Sequence, residues 1–124
     1  MNESFELAKL KGKYVILYFW GSWCGPCISG IPKMKEYYNK QNDKLEFVGI
    51  ACNDKKASWE KAIREYQLNW IHILNDQSIN NISALYGVYV YPTKFIIDKE
   101  GKIIGKFVGE NVDFYEMLDE IMQK

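Results

Sequence analysis

The chain has 124 residues, about the length of one domain, and its 16 basic and 16 acidic side chains give a formal net charge of zero. This balance argues against a nucleic-acid partner, because phosphate binding needs an excess of Lys and Arg. A composition that is 48% hydrophobic and 15% aromatic excludes a disordered chain. The longest apolar run, residues 14–20, is also much shorter than the roughly 20 residues that cross a membrane.

The first predicted elements are a strand and a helix. Residues 14–20 form a continuous β-branched and aromatic run, which is typical of a strand buried on both faces. From Gly25 to about Lys40, apolar side chains recur at helical spacing. Pro26 suits the first turn of this helix, whereas Pro32 lies in its interior and is expected to kink it.

The middle of the chain alternates between strands and helices. Apolar patterns predict a strand at 45–52, a helix at 57–67, a short strand at 70–74 and a short helix at 78–86. This alternation indicates an α/β fold in which helices cover both faces of a central sheet and the early strands are parallel. In such a sheet the loops after the parallel strands gather at one edge, so residues 23–27 and 53–54 are expected to lie there together.

The C-terminal part predicts a hairpin and a last helix. An Asp-Lys-Glu-Gly turn joins strand-like residues 93–97 and 102–108, as expected for an antiparallel hairpin with a type I turn and a bulge. The last helix could be capped by Asn111 or by Asp113, and Asp113 with Glu116 has the spacing of a capping box.

Cys24 and Cys27 give the clearest chemical signal. They lie at the junction of the first strand and the helix, where side chains three residues apart share a face and can form a disulfide. The helix N-terminus favours an anion, so we expect the pKa of Cys24 to fall below the free-cysteine value of about 8.5. Cys27 lies one turn deeper and should stay protonated longer. We therefore expect Cys24 to attack a substrate disulfide and Cys27 to resolve the mixed disulfide.

Metal binding and a purely structural disulfide are the alternative interpretations of this pair. A structural zinc site needs four ligands, and only Cys52 and the single His72 remain as further Cys or His candidates. A Cys–His nucleophilic pair is not indicated, because His72 has no neighbour of ligand type. Cys52 lies in an apolar strand, which favours a packing role, although its place near the site leaves open a second redox partner. We predict no metal and no cofactor besides the redox-active disulfide.

Residues 23–27, Trp-Cys-Gly-Pro-Cys, follow a buried strand and resemble thioredoxin. Pro32, five residues past the second cysteine, and Tyr-Pro-Thr at 91–93 support this resemblance. The segment from 56 to 74, an extra helix and strand, is similar to the TlpA/ResA group of bacterial thiol-disulfide oxidoreductases. The resemblance implies a thioredoxin fold, with a central mixed sheet flanked by helices on both faces and a TlpA/ResA-like helix-strand insertion.

Two departures from the family patterns affect these expectations. Thioredoxins carry a buried Asp six residues before the first cysteine, and here that position is Tyr18, which leaves the proton acceptor for Cys27 unassigned. TlpA/ResA members have further β structure before the first core strand. We therefore expect residues 1–124 to be a single thioredoxin-like domain of a longer exported protein. The resemblance implies a bacterial periplasm, although the first residues have no signal-peptide pattern.

The resemblance also implies a cis bond between Tyr91 and Pro92, beside the cysteine pair. The backbone N–H and C=O of Tyr91 would then face the cysteines and could hold an extended client segment as an added strand. An ordinary trans turn before an edge strand is the alternative. Together with Trp23, Gly25 and Pro26, these residues are the predicted substrate-binding surface.

Asp54 is the candidate for the missing acid or base. It follows a strand that is parallel to the one before Cys24, so its carboxylate could approach Cys27. The TlpA/ResA group has a similarly placed acidic residue. A partly buried carboxylate at this point could take or give the resolving proton. The alternative is that Asp54 caps the helix at 57–67.

These residues together predict a thiol-disulfide oxidoreductase that uses a Cys24/Cys27 dithiol-disulfide cycle. The Gly-Pro pair between the cysteines resembles the reducing members of the family, which favours reduction of protein disulfides. The partners would be disulfide-containing protein clients and an upstream thiol reductant, with no nucleic acid and no membrane insertion, and we expect a monomer. The alternatives are a binding or scaffold domain with an inert disulfide, and a peroxide reducer.

Overall fold

The computed structural model describes residues 12–40, 43–75 and 81–123. Its elements in chain order are β1 (Tyr14–Trp20), α1 (Gly25–Ser29), α2 (Ile31–Asn39), β2 (Leu45–Ala51), α3 (Lys56–Glu65), β3 (Ile71–Leu74), α4 (Ile82–Leu85), β4 (Thr93–Ile97), β5 (Ile103–Val108) and α5 (Val112–Gln123). Among the described residues, no helix is both long and apolar enough to cross a membrane.

A five-stranded mixed sheet forms the centre of the domain. Its strand order is β3-β2-β1-β4-β5, with β1–β2 and β2–β3 parallel and β1–β4 and β4–β5 antiparallel. This confirms the predicted mixed sheet with parallel early strands. Because β1 is central and neighbours β2, its C-terminal end and that of β2 lie at the same sheet edge.

Both faces of β1, at the centre of the sheet, are buried, as the apolar run at 14–20 predicted. Alternate β1 residues point to opposite faces, and the two core clusters divide accordingly. One cluster contains Tyr18 and Trp20 and is packed by α1, α2, α3 and α5. The other contains Phe19 and Cys52 and is packed by Ile82 of α4 and by Tyr86, directly after this helix. The cysteine pair belongs to the first cluster.

The predicted helix from 25 to 40 is two helices, which corrects the expectation of a single kinked one. It is interrupted at Gly30, whose N–H bonds the carbonyl oxygens of Pro26 and Ile28. Pro32 has no N–H with which to bond the carbonyl four residues earlier, so the helical ladder cannot continue unbroken. The break leaves a short helix, α1, with Cys24 at its N-cap and Cys27 in its first turn.

The C-terminal hairpin has the predicted turn and bulge. Asp98 Oδ1 accepts from the N–H groups of Glu100 and Lys102, Gly101 has a φ of +90°, and the β4–β5 register shifts at Ile96/Ile97. Gly suits this left-handed position because it has no Cβ.

The termini of two later helices differ from the predicted ones. Asn111 Oδ1 accepts from the N–H of Asp113 at 2.9 Å, so Asn111 caps α5 and the capping box built on Asp113 is wrong. The helix predicted at 78–86 is α4, capped by Asn81. Its predicted first residues, 78–80, lie outside the described residues.

Candidate active site

Cys24 and Cys27 form a disulfide at the junction of β1 and α1. Their Cα atoms are 5.2 Å apart. Cys24 is the N-cap of α1 with an extended backbone, and its Sγ atom accepts a hydrogen bond from the Cys27 N–H at 3.2 Å. Pro26 lies in the first turn, as predicted. The first sulfur is therefore placed where a backbone N–H can stabilise negative charge.

The two sulfur-bearing residues differ in burial. Cys24 is 4% exposed and Cys27 is 0% exposed, which is the predicted order. Only a small part of the Cys24 surface is open, so a partner has to approach from one direction. The neighbouring Gly25 and Pro26 are exposed and leave this approach uncovered.

Trp23 and Tyr91 form an aromatic pair next to the cysteines. Trp23 is 53% exposed, and its ring meets that of Tyr91 edge to face with 5.7 Å between centroids. Its Nε1 donates to the backbone oxygen of Cys52 at 2.8 Å, which fixes the indole across the edge of the sheet. The Tyr91–Pro92 peptide bond is cis. The fold therefore places Trp23 and Tyr91, two of the residues predicted to bind substrate, on one surface.

Asp54 is held against the loop that precedes the cysteines. Its Oδ2 accepts from the Ser22 N–H at 2.7 Å, and its Oδ1 accepts from the Ser22 hydroxyl at 2.6 Å. Asn53, directly before it, has a φ of +53°, a conformation that Asn tolerates. The N-cap of α3 is Lys55, so the interpretation of Asp54 as the cap of this helix is wrong. The two loops therefore meet at this edge of the sheet through Ser22 and Asp54.

A groove of about 470 Å³ opens beside Trp23, between the cysteine loop and α3. The loop side of the groove includes Ser22 and Asp54, and the α3 side includes Lys61 and Glu65. Its lining mixes both charge signs. The groove therefore extends the site with surface that is partly polar and partly apolar.

A hydrogen bond joins α1 to the sheet below it. The Tyr18 hydroxyl donates to the backbone oxygen of Cys27 at 3.0 Å. Burial raises the pKa of Tyr18 far above its ordinary value, so the phenol stays protonated. Tyr18, in place of the Asp of thioredoxins, thus supports the helix but holds no charge at neutral pH.

Lys94 and Glu110 are residues near the site that sequence reasoning missed. Lys94 is 0% exposed, pairs with Tyr18 across β1 and β4, and has its Nζ 3.4 Å from Glu110 Oε1. Burial lowers the pKa of Lys94, and Glu110 counteracts this. A signal was available: Lys94 is a lysine at an inward-facing position of a predicted apolar strand.

The other predicted candidates lie in packing positions. Cys52 is a free thiol with no exposed surface, in the core cluster on the other face of the sheet, and burial raises its pKa to about 11. His72 is on the edge strand β3, its Nε2 lies 2.8 Å from the Leu68 oxygen, and burial lowers its pKa. Within the described ranges, no group of three or more His, Cys, Asp or Glu could hold a metal ion.

Comparison with known proteins agrees with this geometry. The model of the AhpC/TSA family matches residues 1–106. The thiol-disulfide oxidoreductase ResA of Bacillus cereus is 34% identical over 124 residues, which are 99% of this chain and 69% of that protein.

Two solved structures from Bacteroides confirm the fold. The thioredoxin domain of a thiol-disulfide oxidoreductase from Bacteroides vulgatus has a TM-score of 0.84 at 27% identity, covering 97% of this chain and 86% of that one. A thiol:disulfide interchange protein from Bacteroides sp. has a TM-score of 0.84 at 27% identity, covering 98% and 81%. The predicted thioredoxin fold is therefore confirmed.

Proposed function

The chain belongs to the AhpC/TSA family and to the thiol-disulfide oxidoreductases that include ResA, and on that premise we propose that it reduces protein disulfides through Cys24 and Cys27. One observation carries the proposal. The Cys24 sulfur is the N-cap group of α1, accepts a backbone hydrogen bond, and is the more exposed of the two. That arrangement suits a sulfur that must be an anion and must meet a partner.

The first step is attack by the Cys24 thiolate on a client disulfide. A bond forms between Cys24 Sγ and one client sulfur, and the other client sulfur leaves as a thiolate. The Cys27 N–H, 3.2 Å from Cys24 Sγ in the disulfide form, is positioned to stabilise the attacking anion. The product is a mixed disulfide between the client and Cys24.

The second step is resolution by Cys27. Its thiolate attacks Cys24 Sγ, the Cys24–Cys27 disulfide forms, and the second client sulfur leaves as a thiolate. Two electrons pass from the cysteine pair to the client, and the two cysteine protons end on the client thiols. An upstream thiol reductant then returns the pair to the dithiol by the same exchange in reverse.

The client is held by the surface around the cysteines. Trp23 and Tyr91 provide an aromatic contact, and the exposed Gly25 and Pro26 leave room for a protein chain above Cys24. The backbone of Tyr91, next to Pro92, would pair with an extended client segment. Such pairing recognises main chain rather than particular side chains, so clients of varied sequence would fit.

We assign Asp54 two roles in this reaction. Through Ser22 it holds the loop that carries Cys24. The same carboxylate is the proposed carrier of the Cys27 proton during resolution. We further place the protein outside the cytoplasm and as a monomer, on its resemblance to the TlpA/ResA group.

Replacement of each cysteine tests the proposal. We expect Cys24→Ser to abolish reduction of a protein disulfide driven by dithiothreitol, and Cys27→Ser to accumulate a mixed disulfide, visible as a mass increase that dithiothreitol removes. The two substitutions are matched controls for each other, since each removes one sulfur of the same pair. Retained turnover in Cys24→Ser would overturn the assignment of the nucleophile.

The same preparation separates the alternative functions. An inert disulfide would have a reduction potential far below about −300 mV, and no mixed disulfide would form with Cys27→Ser. A peroxide reducer would consume peroxide directly at a rate above its rate with protein disulfides. Either result would contradict the proposed reductase.

A further inference from the structure

A buried lysine lies beneath the cysteine-bearing helix. Lys94 has no exposed surface, although lysines are almost never fully buried unless their charge is paired. Its Nζ is 3.4 Å from Glu110 Oε1. It also lies 5.6 Å from the ring centroid of Tyr18, 4.7 Å from that of Phe114 and 5.1 Å from that of Tyr115. The ammonium is thus surrounded by aromatic faces and one carboxylate.

This charge lies on the same side of the sheet as Cys27. Lys94 and Tyr18 are direct partners in the β4–β1 register, so their side chains share one face. On that face the Tyr18 hydroxyl bonds the Cys27 backbone oxygen at 3.0 Å. Lys94 and the resolving cysteine are therefore both neighbours of one tyrosine.

Glu110 connects the lysine to the end of α1. A Cβ atom built at Gly30, directly after α1, would lie 2.5 Å from Glu110 Oε1, so the carboxylate occupies space that any other residue at position 30 would take. The side chain of Glu110 is 40% exposed and that of Lys94 is 1% exposed. Water screens the exposed carboxylate more than the buried ammonium, so the charge of Lys94 is the less screened of the two.

A thiolate at Cys27 would be stabilised by a nearby positive charge. Cys27 is 0% exposed, and a buried anion without water to solvate it is strongly disfavoured. We propose that the buried Lys94 ammonium stabilises the Cys27 thiolate in the resolving step, and that Glu110 keeps this lysine charged. The proposal rests on the reductase function above and adds a positioning residue to it.

The proposed role of Lys94 changes none of the bonds that form or break in the resolving step. The Cys27 proton leaves, the thiolate attacks Cys24 Sγ, and the departing client thiolate finally receives a proton. Lys94 remains an ammonium throughout and transfers nothing. Its effect is confined to the free energy of the Cys27 anion.

The other ionisable groups around this pair do not replace the lysine. Burial raises the pKa of Tyr18 on β1 and of Tyr115 on α5, so both stay neutral where cysteines ionise. Lys33 on α2 is exposed and lies 4.4 Å from the Tyr115 ring, where solvent screens its charge. Glu36 and Tyr37 on α2 act on Tyr115 and add no positive charge. Asp54 is the proton carrier proposed above, and ionisation of Cys24 opposes that of Cys27.

Lys94→Met is the decisive variant, because Met fills a similar volume without charge. The pH midpoint of Cys27 is measured from its Cβ chemical shift in reduced protein that carries Cys24→Ser, which removes the coupled thiol. We expect the midpoint to rise by at least about half a pH unit. Lys106→Met is the matched control: it removes an exposed lysine that lies over Phe95, on the other face of the sheet, and should leave the midpoint unchanged.

Because Lys94→Met leaves the Glu110 carboxylate without its partner and could disturb folding, a second variant is needed. Lys94→Met with Glu110→Gln removes both charges and should also raise the midpoint, by less than Lys94→Met alone. In protein with both cysteines, the pH profile of mixed-disulfide resolution should move upward by the same amount.

The two proposals fail in different measurements. An unchanged or lowered Cys27 midpoint in both Lys94 variants overturns the role of the lysine, whatever the activity. A raised midpoint in a protein that reduces no client disulfide overturns the reductase function and leaves the electrostatic effect standing.

Discussion

The outer and inner sides of α1 have opposite chemistry. On the outer side, Trp23 is 53% exposed and Tyr89 and Val90, directly before Tyr91, are 78% and 57% exposed. On the inner side, Lys94 has no exposed surface. Large apolar groups are commonly buried and lysines are commonly exposed, so each side reverses the usual distribution.

The reversal has a cost on each side. An exposed apolar patch favours unwanted association, and a buried charge loses several kcal/mol of hydration that its partner has to restore. Trp23 precedes the five-residue helix α1, and Lys94 lies on the sheet face against which this helix packs. We infer that the outer side selects what reaches the sulfurs and the inner side sets their protonation, so substitutions on the two sides should change different kinetic quantities.

Apart from substitutions of the cysteines and Lys94, Trp23→Ala should have the largest effect on activity. Loss of the indole removes apolar contact area from the client surface, which we expect to lower kcat/KM for a protein disulfide about tenfold. Reduction of oxidised glutathione, which is too small to cover the patch, should change by less than about twofold. Trp23→Phe is the control, since it keeps a ring but loses the bond from Nε1 to the Cys52 oxygen.

Equal losses for the protein and the small disulfide would contradict this division of roles. They would mean that Trp23 supports the cysteine loop and does not contact the client. Stability should change little, because the side chain is half exposed.

The sequence predicted the outer side well because its signals are local. The strand at 14–20 is one uninterrupted apolar run, and the Trp-Cys-Gly-Pro-Cys segment that follows is contiguous. The parallel pairing of β1 with β2 then follows from the alternation of elements, and it brings Asp54 to Ser22. Each step needs only neighbouring residues and a general rule of chain topology.

The inner side was harder to predict from the sequence because it depends on contacts between residues that are far apart in the chain. The ion pair joins residues 16 apart in the sequence, and its position depends on how the chain enters α5. Gly30, where α1 ends, likewise lies against Glu110, which no local pattern at 25–40 contains. Strand alternation could have flagged Lys94 as inward-facing, but the carboxylate that accompanies it emerges only from the packed structure.

Asp54→Asn should give the next effect, and Ser22→Ala sharpens it. Asparagine loses one of the two acceptor oxygens that bond Ser22, so reduction should slow several-fold. If Asp54 also carries the Cys27 proton, the pH profile of mixed-disulfide resolution should change shape in Asp54→Asn only. Ser22→Ala removes the hydroxyl from the same contact and leaves the carboxylate in place.

Identical profiles and identical losses in these two variants would reduce Asp54 to a residue that holds the loop. Proton transfer would then have to proceed through water, and the inner side of α1 alone would control the ionisation of Cys27.

Substitution of Cys52 should have the smallest of the expected effects. Cys52 also contrasts directly with Cys27, because neither has exposed surface but Cys52 lies on the sheet face away from Lys94. Burial raises its pKa to about 11, well above that of a free thiol. The unfolded thiol therefore ionises first as the pH rises, and the free energy of unfolding should fall by about 2 kcal/mol between about pH 9 and pH 11 from this group.

Urea unfolding of the oxidised protein isolates the thiol, because Cys24 and Cys27 are then bonded. In Cys52→Ala this part of the pH dependence should disappear while the tyrosine contribution remains, and equal slopes in the two proteins would show that burial without a nearby cation does not keep this thiol protonated.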